Sequence, residues 1–349
     1  MRHLAIGVAA ILLTGCKLLE QPAPDLHVGD EAYGGRVIAV SKMIGDVVST
    51  PSAIAWISGD DDLYAADHDG RGTRQVVSFR STPRQRVRLA PRRGGVAVDT
   101  GDPSRRDTRV LTVSLIHLDG GAAIPVAHSA GDRFAGHPTS DTVCYGRRST
   151  KRSRDDWFEE TRCVREPPEG ARGAIADFGV TEQRPRCNIR ALAHDGRDLY
   201  VGDCESRLER YVGFAGPPLV MPLAKDETVS SIVTAPGRVI FATSRGSVRT
   251  VDVAAWPAAR ELCAIPVEEA KRSRFIVKAM AVSNDRVFVT ANDNSLGGAE
   301  GIVFSCRAGE RPTVIHRGRE AFNGVALTPS SVVYGVNQGT AGFLVARAL

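Results

Sequence analysis

Small polar side chains recur three positions after the aromatic residue of a repeated apolar strand. They are Asp67, Asp203, Ser244 and Asn337, which follow Tyr64, Tyr200, Phe241 and Tyr334. If the strands are equivalent, these side chains form a ring of oxygen ligands of the kind that Ca²⁺ prefers. Asp67, Asp203 and Asn337 are therefore candidate ligands for a Ca²⁺ ion. The interpretation that we prefer is structural, because Asp, Asn and Ser favour turns by bonding the local backbone.

Other chemical motifs give no support for an enzyme. The histidines do not form an HExxH pair, no GxSxG elbow occurs, and Gly70-Arg71-Gly72 is not followed by a third glycine. Zinc proteases, α/β-hydrolases and dinucleotide-binding enzymes need those patterns. A non-catalytic protein is therefore the preferred class, with a metal-dependent hydrolase as the alternative.

Two stretches rich in arginine are candidates for binding an anionic partner. Residues 80–109 hold nine arginines and three aspartates, while the whole chain has a formal charge of only +5. The candidate residues in the two stretches are Arg84, Arg86, Arg88, Arg92 and Arg93, and Arg147, Arg148, Lys151 and Arg152. Acidic residues follow the second stretch at once, so we expect that loop to neutralise itself in part. Solvated loops without a binding role are the alternative interpretation for both stretches.

The element that must position such residues is a β-hairpin, seen most clearly in residues 189–211. Its centre is Asp195-Gly196, a dipeptide that favours a two-residue type I′ turn between two apolar strands. Such a turn pairs Leu192 with Leu199 and places Cys187 opposite Cys204. The two cysteines then fall on a non-hydrogen-bonded pair, in which the Cα atoms approach most closely, so a disulfide can join them.

Seven such units follow one another along the chain. Their second strands are anchored at Tyr64, Ala97, Tyr145, Tyr200, Phe241, Phe288 and Tyr334, which are about 45 residues apart. This period, with several short strands in each unit and almost no helical periodicity, predicts an all-β propeller of seven blades. The spacing in the second unit is short, which leaves six or eight blades open. The seventh unit contains only three strands, so we expect Gly35–Ser41 to supply the fourth and close the ring.

The repeated apolar triplet, Asp-Gly turn and Leu-Tyr-Val or Val-Phe-Val strand resemble the blades of bacterial seven-bladed propellers of the NHL and YVTN type. The resemblance covers nearly all of the chain after its first 34 residues and implies the architecture only. Propellers of this kind serve as binding platforms, cell-surface proteins and enzymes. The lactonase-type members hold Ca²⁺ in the channel, which implies the alternative function of a metal-dependent hydrolase or lactonase.

The N-terminus is predicted to be a signal peptide of a lipoprotein. Arg2 is followed by an apolar run from Leu4 to Leu13 that is too short to span a bilayer. Residues 13–16, Leu-Thr-Gly-Cys, resemble the lipobox of bacterial lipoproteins, which implies cleavage after residue 15 and a diacylated Cys16. Residues 16–34 are then a lipidated tether and residues 35–349 the propeller domain. Lys17 implies sorting to the outer membrane, with the domain facing either the periplasm or the exterior.

Six cysteines remain after Cys16, an even number that favours disulfides in an exported protein. The expected pairs are Cys187 with Cys204, Cys144 with Cys163 and, by elimination, Cys263 with Cys306. Buried thiols are the alternative, above all for the last pair.

These observations predict a membrane-anchored, monomeric binding protein of the cell envelope without a cofactor. Its expected partner is an envelope protein or a glycan that binds one face of the ring. Nucleic acid is not expected as a partner, because the protein leaves the cytoplasm.

Overall fold

The computed structural model describes residues 23–59, 61–79, 87–100, 112–120, 123–127, 133–150, 157–166, 175–181, 184–185, 187–295 and 300–349. Within these ranges the strands form seven antiparallel sheets. The first strand of each sheet contacts the first strand of the next, and the first strand of the seventh sheet contacts that of the first. The chain is therefore a seven-bladed β-propeller, as the sequence predicts.

The strands are numbered along the chain. The N-terminal pair is β1 (Glu31–Ala32) and β2 (Gly35–Ser41). Blade 1 consists of β3 (Ile44–Ser49), β4 (Ile54–Ser58), β5 (Asp62–Ala66) and β6 (Arg74–Ser78). Blade 2 consists of β7 (Arg88–Arg92), β8 (Gly95–Asp99), β9 (Val113–His117) and β10 (Ile124–Ala127). Blade 3 consists of β11 (Phe134–Gly136), β12 (Thr142–Thr150), β13 (Trp157–Arg165), β14 (Ala176–Gly179) and the short β15 (Arg184–Pro185).

The second half of the ring is more regular. Blade 4 consists of β16 (Ala191–His194), β17 (Asp198–Gly202), β18 (Arg207–Val212) and β19 (Leu219–Pro222). Blade 5 consists of β20 (Val229–Ala235), β21 (Arg238–Thr243), β22 (Ser247–Asp252) and β23 (Ala259–Ala264), with a 3₁₀ turn at Val253–Ala255. The helix α1 (Glu269–Arg272) leads into blade 6, which consists of β24 (Phe275–Ser283), β25 (Arg286–Asp293), β26 (Gly301–Arg307) and β27 (Thr313–Gly318). Blade 7 contains β28 (Ala321–Leu327), β29 (Ser331–Gln338) and β30 (Ala341–Ala348).

The N-terminal strand completes blade 7. Strand β2 lies antiparallel to β30, with Arg36 opposite Ala346 and Ser41 opposite Gly342. The prediction that Gly35–Ser41 closes the ring is thus confirmed. Strand β1 pairs with β2 as a fifth, outermost strand, so the last residues of the expected tether belong to the sheet. Without β2, the backbone groups along one edge of β30 would lack partners.

The core consists of apolar clusters between neighbouring blades. Trp56 of blade 1 packs in one cluster with Val333 of blade 7, and Tyr200 of blade 4 packs in another with Phe241 of blade 5. All four side chains are at most 1% exposed. Full burial of a large apolar side chain stabilises the fold by roughly 1.5 to 3 kcal/mol, so each blade depends on both neighbours.

The equivalences predicted for the first unit are wrong. Tyr64 lies in β5, the third strand of blade 1, whereas the other anchors lie in second strands. The equivalent residue is Trp56 in β4, and the spacing from Trp56 to Ala97 is 41 residues, which removes the short gap. The first strand was missed because β3 contains a register shift between Ile44 and Val47 and so lacks an unbroken apolar run.

The register predicted for the hairpin of blade 4 is also wrong. Leu192 lies opposite Val201, a shift of two residues from the expected partner Leu199. The loop is centred on Gly196-Arg197, because the Asp195 carboxylate accepts hydrogen bonds from the backbone N–H groups of Arg197 and Asp198, both at 2.8 Å. The side chain of Asp195 thereby fixes the turn one residue later than the Asp-Gly pattern indicates.

Three disulfides connect the predicted pairs. Cys144 lies directly opposite Cys163 in the β12–β13 pair, with Cα atoms 4.1 Å apart. Cys187 and Cys204 flank the hairpin of blade 4, outside its paired residues. The third disulfide joins Cys263 on the outermost strand of blade 5 to Cys306 on β26 and therefore connects two blades.

Candidate functional site

The seven innermost strands surround a central channel. These strands are β3, β7, β11, β16, β20, β24 and β28, and their residues line a cavity of about 1500 Å³. The volume exceeds that of an ordinary small-molecule pocket. The channel can therefore admit part of a macromolecule.

The two ends of the channel differ because all innermost strands run in the same direction. We call the end where they begin the upper mouth and the end where they finish the lower mouth. Ile44 begins β3 at the upper mouth, and Thr50 follows its last residue at the lower mouth. Second strands run in the opposite direction and end at the upper mouth.

Arginine precedes the innermost strand in three of the seven blades. Arg133 precedes β11, Arg190 precedes β16 and Arg274 precedes β24, and all three residues line the cavity. They lie at different heights, because Arg133 pairs with Gly146, one residue after the anchor Tyr145, whereas Arg274 pairs with Asn294, six residues after the anchor Phe288. The sequence contains these arginines, but their place at the start of innermost strands is visible only when the first strand of each blade is known.

The surroundings of these arginines differ. Arg190 is exposed and makes no ion pair with any residue that the structure describes. Arg274 is about half exposed and donates hydrogen bonds to Asp293 at 2.8 Å and Ser295 at 2.7 Å. Although burial acts in the opposite direction, hydrogen bonds from Ser295 and Arg274 hold the pKa of Asp293 below its usual value. Arg274 is thus held in place, while Arg190 remains open to a ligand.

β-Bulges alter the inner surface of the channel. The pairing between first and second strands shifts register at Ser230, Lys278 and Gly324 in blades 5, 6 and 7. A bulge redirects the side chain of the extra residue. Lys278 is exposed and lines the cavity four residues beyond Arg274, which adds a second cationic group to blade 6.

Asparagine side chains join adjacent blades at the upper mouth. Asn337 at the end of β29 accepts a hydrogen bond from the Ile44 N–H and donates one to the Ile44 carbonyl. Asn292 of blade 6 makes the same two hydrogen bonds to Phe322 of blade 7. Asn337 therefore has a structural role between the first and last blades.

The three candidate Ca²⁺ ligands are not brought together. Asp67 follows β5 and neighbours His68, whose ring contacts the Thr50 carbonyl at the lower mouth. Asp203 and Asn337 lie at the upper ends of their strands. Asp203 is buried, and its carboxylate accepts a hydrogen bond from the Arg207 guanidinium at 3.2 Å. The proposed ring fails because Tyr64 belongs to a third strand, which runs opposite to the second strands. Among the described residues, no group of three or more His, Cys, Asp or Glu side chains is placed to hold a metal ion.

The first arginine-rich stretch is only partly at the surface. Arg88 and Arg92 are buried and form ion pairs with Asp99 and Glu166, so these two residues do not belong to an exposed anion-binding surface. Arg93 is exposed and lies 3.3 Å from Asp141 near the lower mouth. Arg84 and Arg86 lie outside the described residues.

The second stretch is part of a long hairpin, where the sequence predicted a loop. Arg147 and Arg148 belong to β12 and lie opposite Glu160 and Glu159 of β13. The guanidinium of Arg147 is 3.9 Å from the Glu160 carboxylate. Lys151 and Arg152 lie outside the described residues. Glu160, one of the acidic residues that follow the stretch in sequence, thus pairs with Arg147 across the two strands.

Two histidines lie at the lower mouth between blades 3 and 4. The rings of His137 and His194 are 6.2 Å apart, and His194 is 1% exposed. Burial, together with the charge of His137, lowers the pKa of His194 to about 3, although Asp195 acts in the opposite direction. His194 is therefore neutral at pH 7 and accepts a hydrogen bond from the Gly196 N–H at 3.2 Å.

Comparisons with known proteins identify the architecture. No protein-family model matches the chain, and no curated protein matches it either. The β-propeller domain of Cps50 (Swd1) from Myceliophteria thermophila is similar with a TM-score of 0.59 and 11% identity, over 90% of this chain and 100% of that one. YCF48 bound to the D1 peptide is similar with a TM-score of 0.58 and 10% identity, over 94% and 98% of the two chains. A chain of the mitotic checkpoint complex has a TM-score of 0.59 at 8% identity, over 95% of this chain and 100% of that one. At these identities the similarity establishes the fold alone.

No helix among the described residues has the length and apolar character required to cross a bilayer.

Proposed function

We propose that this protein is a lipid-anchored, non-catalytic propeller that binds an envelope protein or glycan at the upper mouth of its channel. The observation that carries the proposal is the placement of Arg133, Arg190 and Arg274 at the start of three innermost strands, where all three line the cavity. Cationic groups repeated around one opening of a rigid ring form a surface suited to an anionic partner.

Two features of the channel support a binding role. Its inner surface is formed by regular strands that pack against both neighbouring blades, so the mouth is preorganised before a partner arrives. One of the similar structures, YCF48, is described as bound to a peptide, which is a precedent for peptide binding by a chain of similar fold. The buried arginines of blade 2 do not contribute to this surface.

The anchor proposed at Cys16 is compatible with an open upper mouth. The described chain joins the propeller through β1, the outermost strand of blade 7. Leu26 already packs on blade 7, and the Gly29 N–H donates to the Val37 carbonyl, so the tether is at most the 10 residues from Cys16 to Leu26, which would span roughly 35 Å if extended. A tether of that length, attached at the rim of the ring, would leave a monomeric domain free to face a partner at the outer membrane.

A pull-down from envelope extract tests the proposal. The bait is the Cys16→Ser protein, which lacks the proposed lipid site, and it is compared with the same protein carrying Arg190→Ser. We expect a specific protein or glycan to be retained by the first bait and depleted on the second. Arg260→Ser, on the exposed outer strand β23, is the matched control and should retain the partner. Equal recovery on both arginine variants would contradict a role for the upper mouth.

A further inference from the structure

Two apolar loops lie on the outside of the ring in neighbouring blades. One joins β18 to β19 in blade 4 and the other joins β22 to β23 in blade 5, so both connect a third strand to a fourth. Third strands run antiparallel to second strands and therefore finish at the lower end of the ring. We call residues 212–220 and 253–259, which contain the two loops, the apolar rim.

Contacts between the two blades hold the loops next to each other. The Arg210 guanidinium of blade 4 donates a hydrogen bond to the Val253 carbonyl of blade 5 at 2.8 Å. Trp256 of blade 5 packs on the apolar cluster that contains Tyr200 of blade 4, and the two rings are 6.0 Å apart. Phe214 is buried in the cluster between blades 3 and 4 and fixes the first loop. The apolar rim is thus one surface supported by the core beneath it.

The apolar rim contains no charged side chain. Its two segments read Val-Gly-Phe-Ala-Gly-Pro-Pro-Leu-Val and Val-Ala-Ala-Trp-Pro-Ala-Ala. Val212, Leu219 and Val220 are 52%, 47% and 43% exposed. The other exposed residues of the rim are Gly213, Ala215, Gly216, Pro217, Ala254, Ala255, Pro257, Ala258 and Ala259. A contiguous exposed surface of apolar residues from two loops indicates an interaction site.

The same connection carries charges in other blades. In blade 1 it contains Asp67, Asp69 and Arg71, and in blade 6 it contains Glu310 and Arg311. A loop between a third and a fourth strand therefore has no structural need to be apolar. The apolar character in blades 4 and 5 is a property of this part of the ring.

The composition of the rim suits a lipid surface better than a protein partner. A protein interface commonly adds directional hydrogen bonds to its apolar contacts. Pro217, Pro218 and Pro257 have no N–H group to donate. The side chains of the rim contain one donor, the Trp256 indole nitrogen, and that atom is buried. A bilayer interface requires no such bonds, because binding to it increases with the apolar area that is buried.

The proposed anchor keeps the propeller close to a membrane. The tether is at most the 10 residues from Cys16 to Leu26, so the acyl chains lie within roughly 35 Å of blade 7. A ring held so near a bilayer turns one of its surfaces towards the lipid. With the lower end against the lipid, the upper mouth faces away from the membrane and stays open to a partner.

We propose that the apolar rim docks the propeller on the lipid surface of the membrane that carries its anchor. This inference rests on the anchor in the proposed function and adds an orientation of the ring. Val212, Leu219 and Val220 enter the interfacial region of the bilayer. The more deeply packed rings of Phe214 and Trp256 keep the two loops in place.

Vesicle flotation tests the inference without the lipid anchor. The full mature chain carrying Cys16→Ser is mixed with vesicles of equal parts phosphatidylethanolamine and phosphatidylglycerol, and the floated fraction is measured against lipid concentration. We expect binding that about 1 M NaCl leaves nearly unchanged, because it depends on apolar area and not on charge. The double variant Val212→Glu, Leu219→Glu should bind about tenfold more weakly, since its carboxylates resist transfer out of water.

Matched variants separate this effect from folding and from other apolar positions. The Val212→Ser, Leu219→Ser variant removes apolar surface without adding charge and should weaken binding about threefold. Ile124→Glu is the control, because Ile124 is 41% exposed on β10 of blade 2, away from the rim, and should leave flotation unchanged. Circular dichroism and thermal unfolding show whether each variant is folded. Sedimentation velocity without lipid tests whether a second copy of the chain covers the rim.

The inference is overturned if the protein does not float, or if the double variant floats as well as Ile124→Glu does. It is also overturned if sedimentation shows a dimer that the double variant abolishes. Two further measurements keep it distinct from the proposed function. If flotation fails while capture that depends on Arg190 persists, only the docking surface is wrong. If flotation persists but an azide-bearing fatty acid does not label Cys16, the rim remains a lipid-binding surface and the anchor in the proposed function fails.

Discussion

Asn337 in the last blade binds Ile44 in the first through two hydrogen bonds. The Ile44 N–H donates to the side-chain oxygen at 2.7 Å, and the side-chain nitrogen donates to the Ile44 carbonyl at 2.8 Å. Both residues are buried, and the contact crosses the junction that the pairing of β2 with β30 also closes. The ring is therefore closed at its inner edge as well as at its outer edge.

Replacement of Asn337 should weaken this closure. Asn337→Ala leaves the buried N–H of Ile44 without its acceptor, while the Ile44 carbonyl keeps only the hydrogen bond from the Asn323 side chain at 3.2 Å. The free energy of unfolding should therefore fall by about 2 kcal/mol. Urea unfolding, followed by far-UV circular dichroism, measures the change. Asn294→Ala, at an exposed asparagine near the same mouth, is the control and should cost little. Equal stability of the two variants would show that the contact contributes nothing to closure.

Acid should destabilise the protein through His194. Its pKa is about 3 in the folded protein, below the usual 6.5, because the ring is buried, next to His137. The unfolded state therefore binds more protons between these values, and stability should fall as the pH decreases from about 6.5 towards 3. Asp195 and Arg165 also act on this ring, with opposite effects on its pKa.

The variant His194→Asn isolates this contribution. Its side-chain oxygen can still accept the hydrogen bond from the Gly196 N–H, but it has no titratable ring. Urea midpoints measured from pH 7.5 to 4 should fall less steeply for the variant than for the wild type. Parallel pH profiles would assign the acid sensitivity to other groups.

The disulfide between Cys263 and Cys306 should stabilise the junction of blades 5 and 6. It closes a loop with a sequence separation of 43 residues, so its removal should cost about 3 to 4 kcal/mol in a chain-entropy account. Guanidinium unfolding of the Cys263→Ala, Cys306→Ala variant measures the loss. Reduction of the wild type should have a larger effect than this variant, because it opens all three disulfides. A variant as stable as the oxidised wild type would contradict the prediction.

Calcium should have little effect on the stability of this propeller. Asp67 lies at the other end of the channel from Asn337, and Asp203 is hydrogen-bonded to Arg207. Specific binding to the folded state would raise the thermal midpoint. We therefore expect about 2 mM CaCl₂ to shift the midpoint by less than about 1 °C relative to the same concentration of MgCl₂. A larger shift specific to calcium would return the channel hydrolase to consideration.

The architecture could be predicted from the sequence because it depends on a repeated local signal. An apolar triplet, a turn and a second apolar strand recur from Val87 to Leu327, and the chain ends one strand short of a full blade. The cysteine pair 144 and 163 follows from the same hairpin logic. The two-residue periodicity of apolar side chains in the strands, together with the turn residues between them, thus determines which segments pair.

The site could not be predicted, because it depends on which strand of each blade faces the channel. Leu63-Tyr64-Ala65 has the same pattern as Leu199-Tyr200-Val201, yet the first segment is a third strand and the second is a second strand. That single error placed Asp67 at the wrong mouth. The same alignment concealed that Arg190 and Arg274 each precede an innermost strand, which becomes visible once the first strands are known.

Burial also separates arginines that the sequence treats alike. Arg92 and Arg93 are adjacent, but the side chain of Arg92 is 1% exposed and that of Arg93 is 64% exposed. Arg92 is the last residue of β7, whereas Arg93 begins the turn that follows the strand. A count of arginines along a stretch does not contain that information, because it ignores the paired Glu166.

Site-specific crosslinking in the envelope tests the central claim, that the upper mouth is the binding surface, most directly. A photoreactive phenylalanine is placed in the full-length protein either at Ile276, 36% exposed in the channel, or at Ile124, 41% exposed on an outer strand of blade 2. We predict a discrete crosslinked partner from position 276 that is lost with Arg190→Ser, and none from position 124. A partner captured from position 124 but not from position 276 would contradict the account.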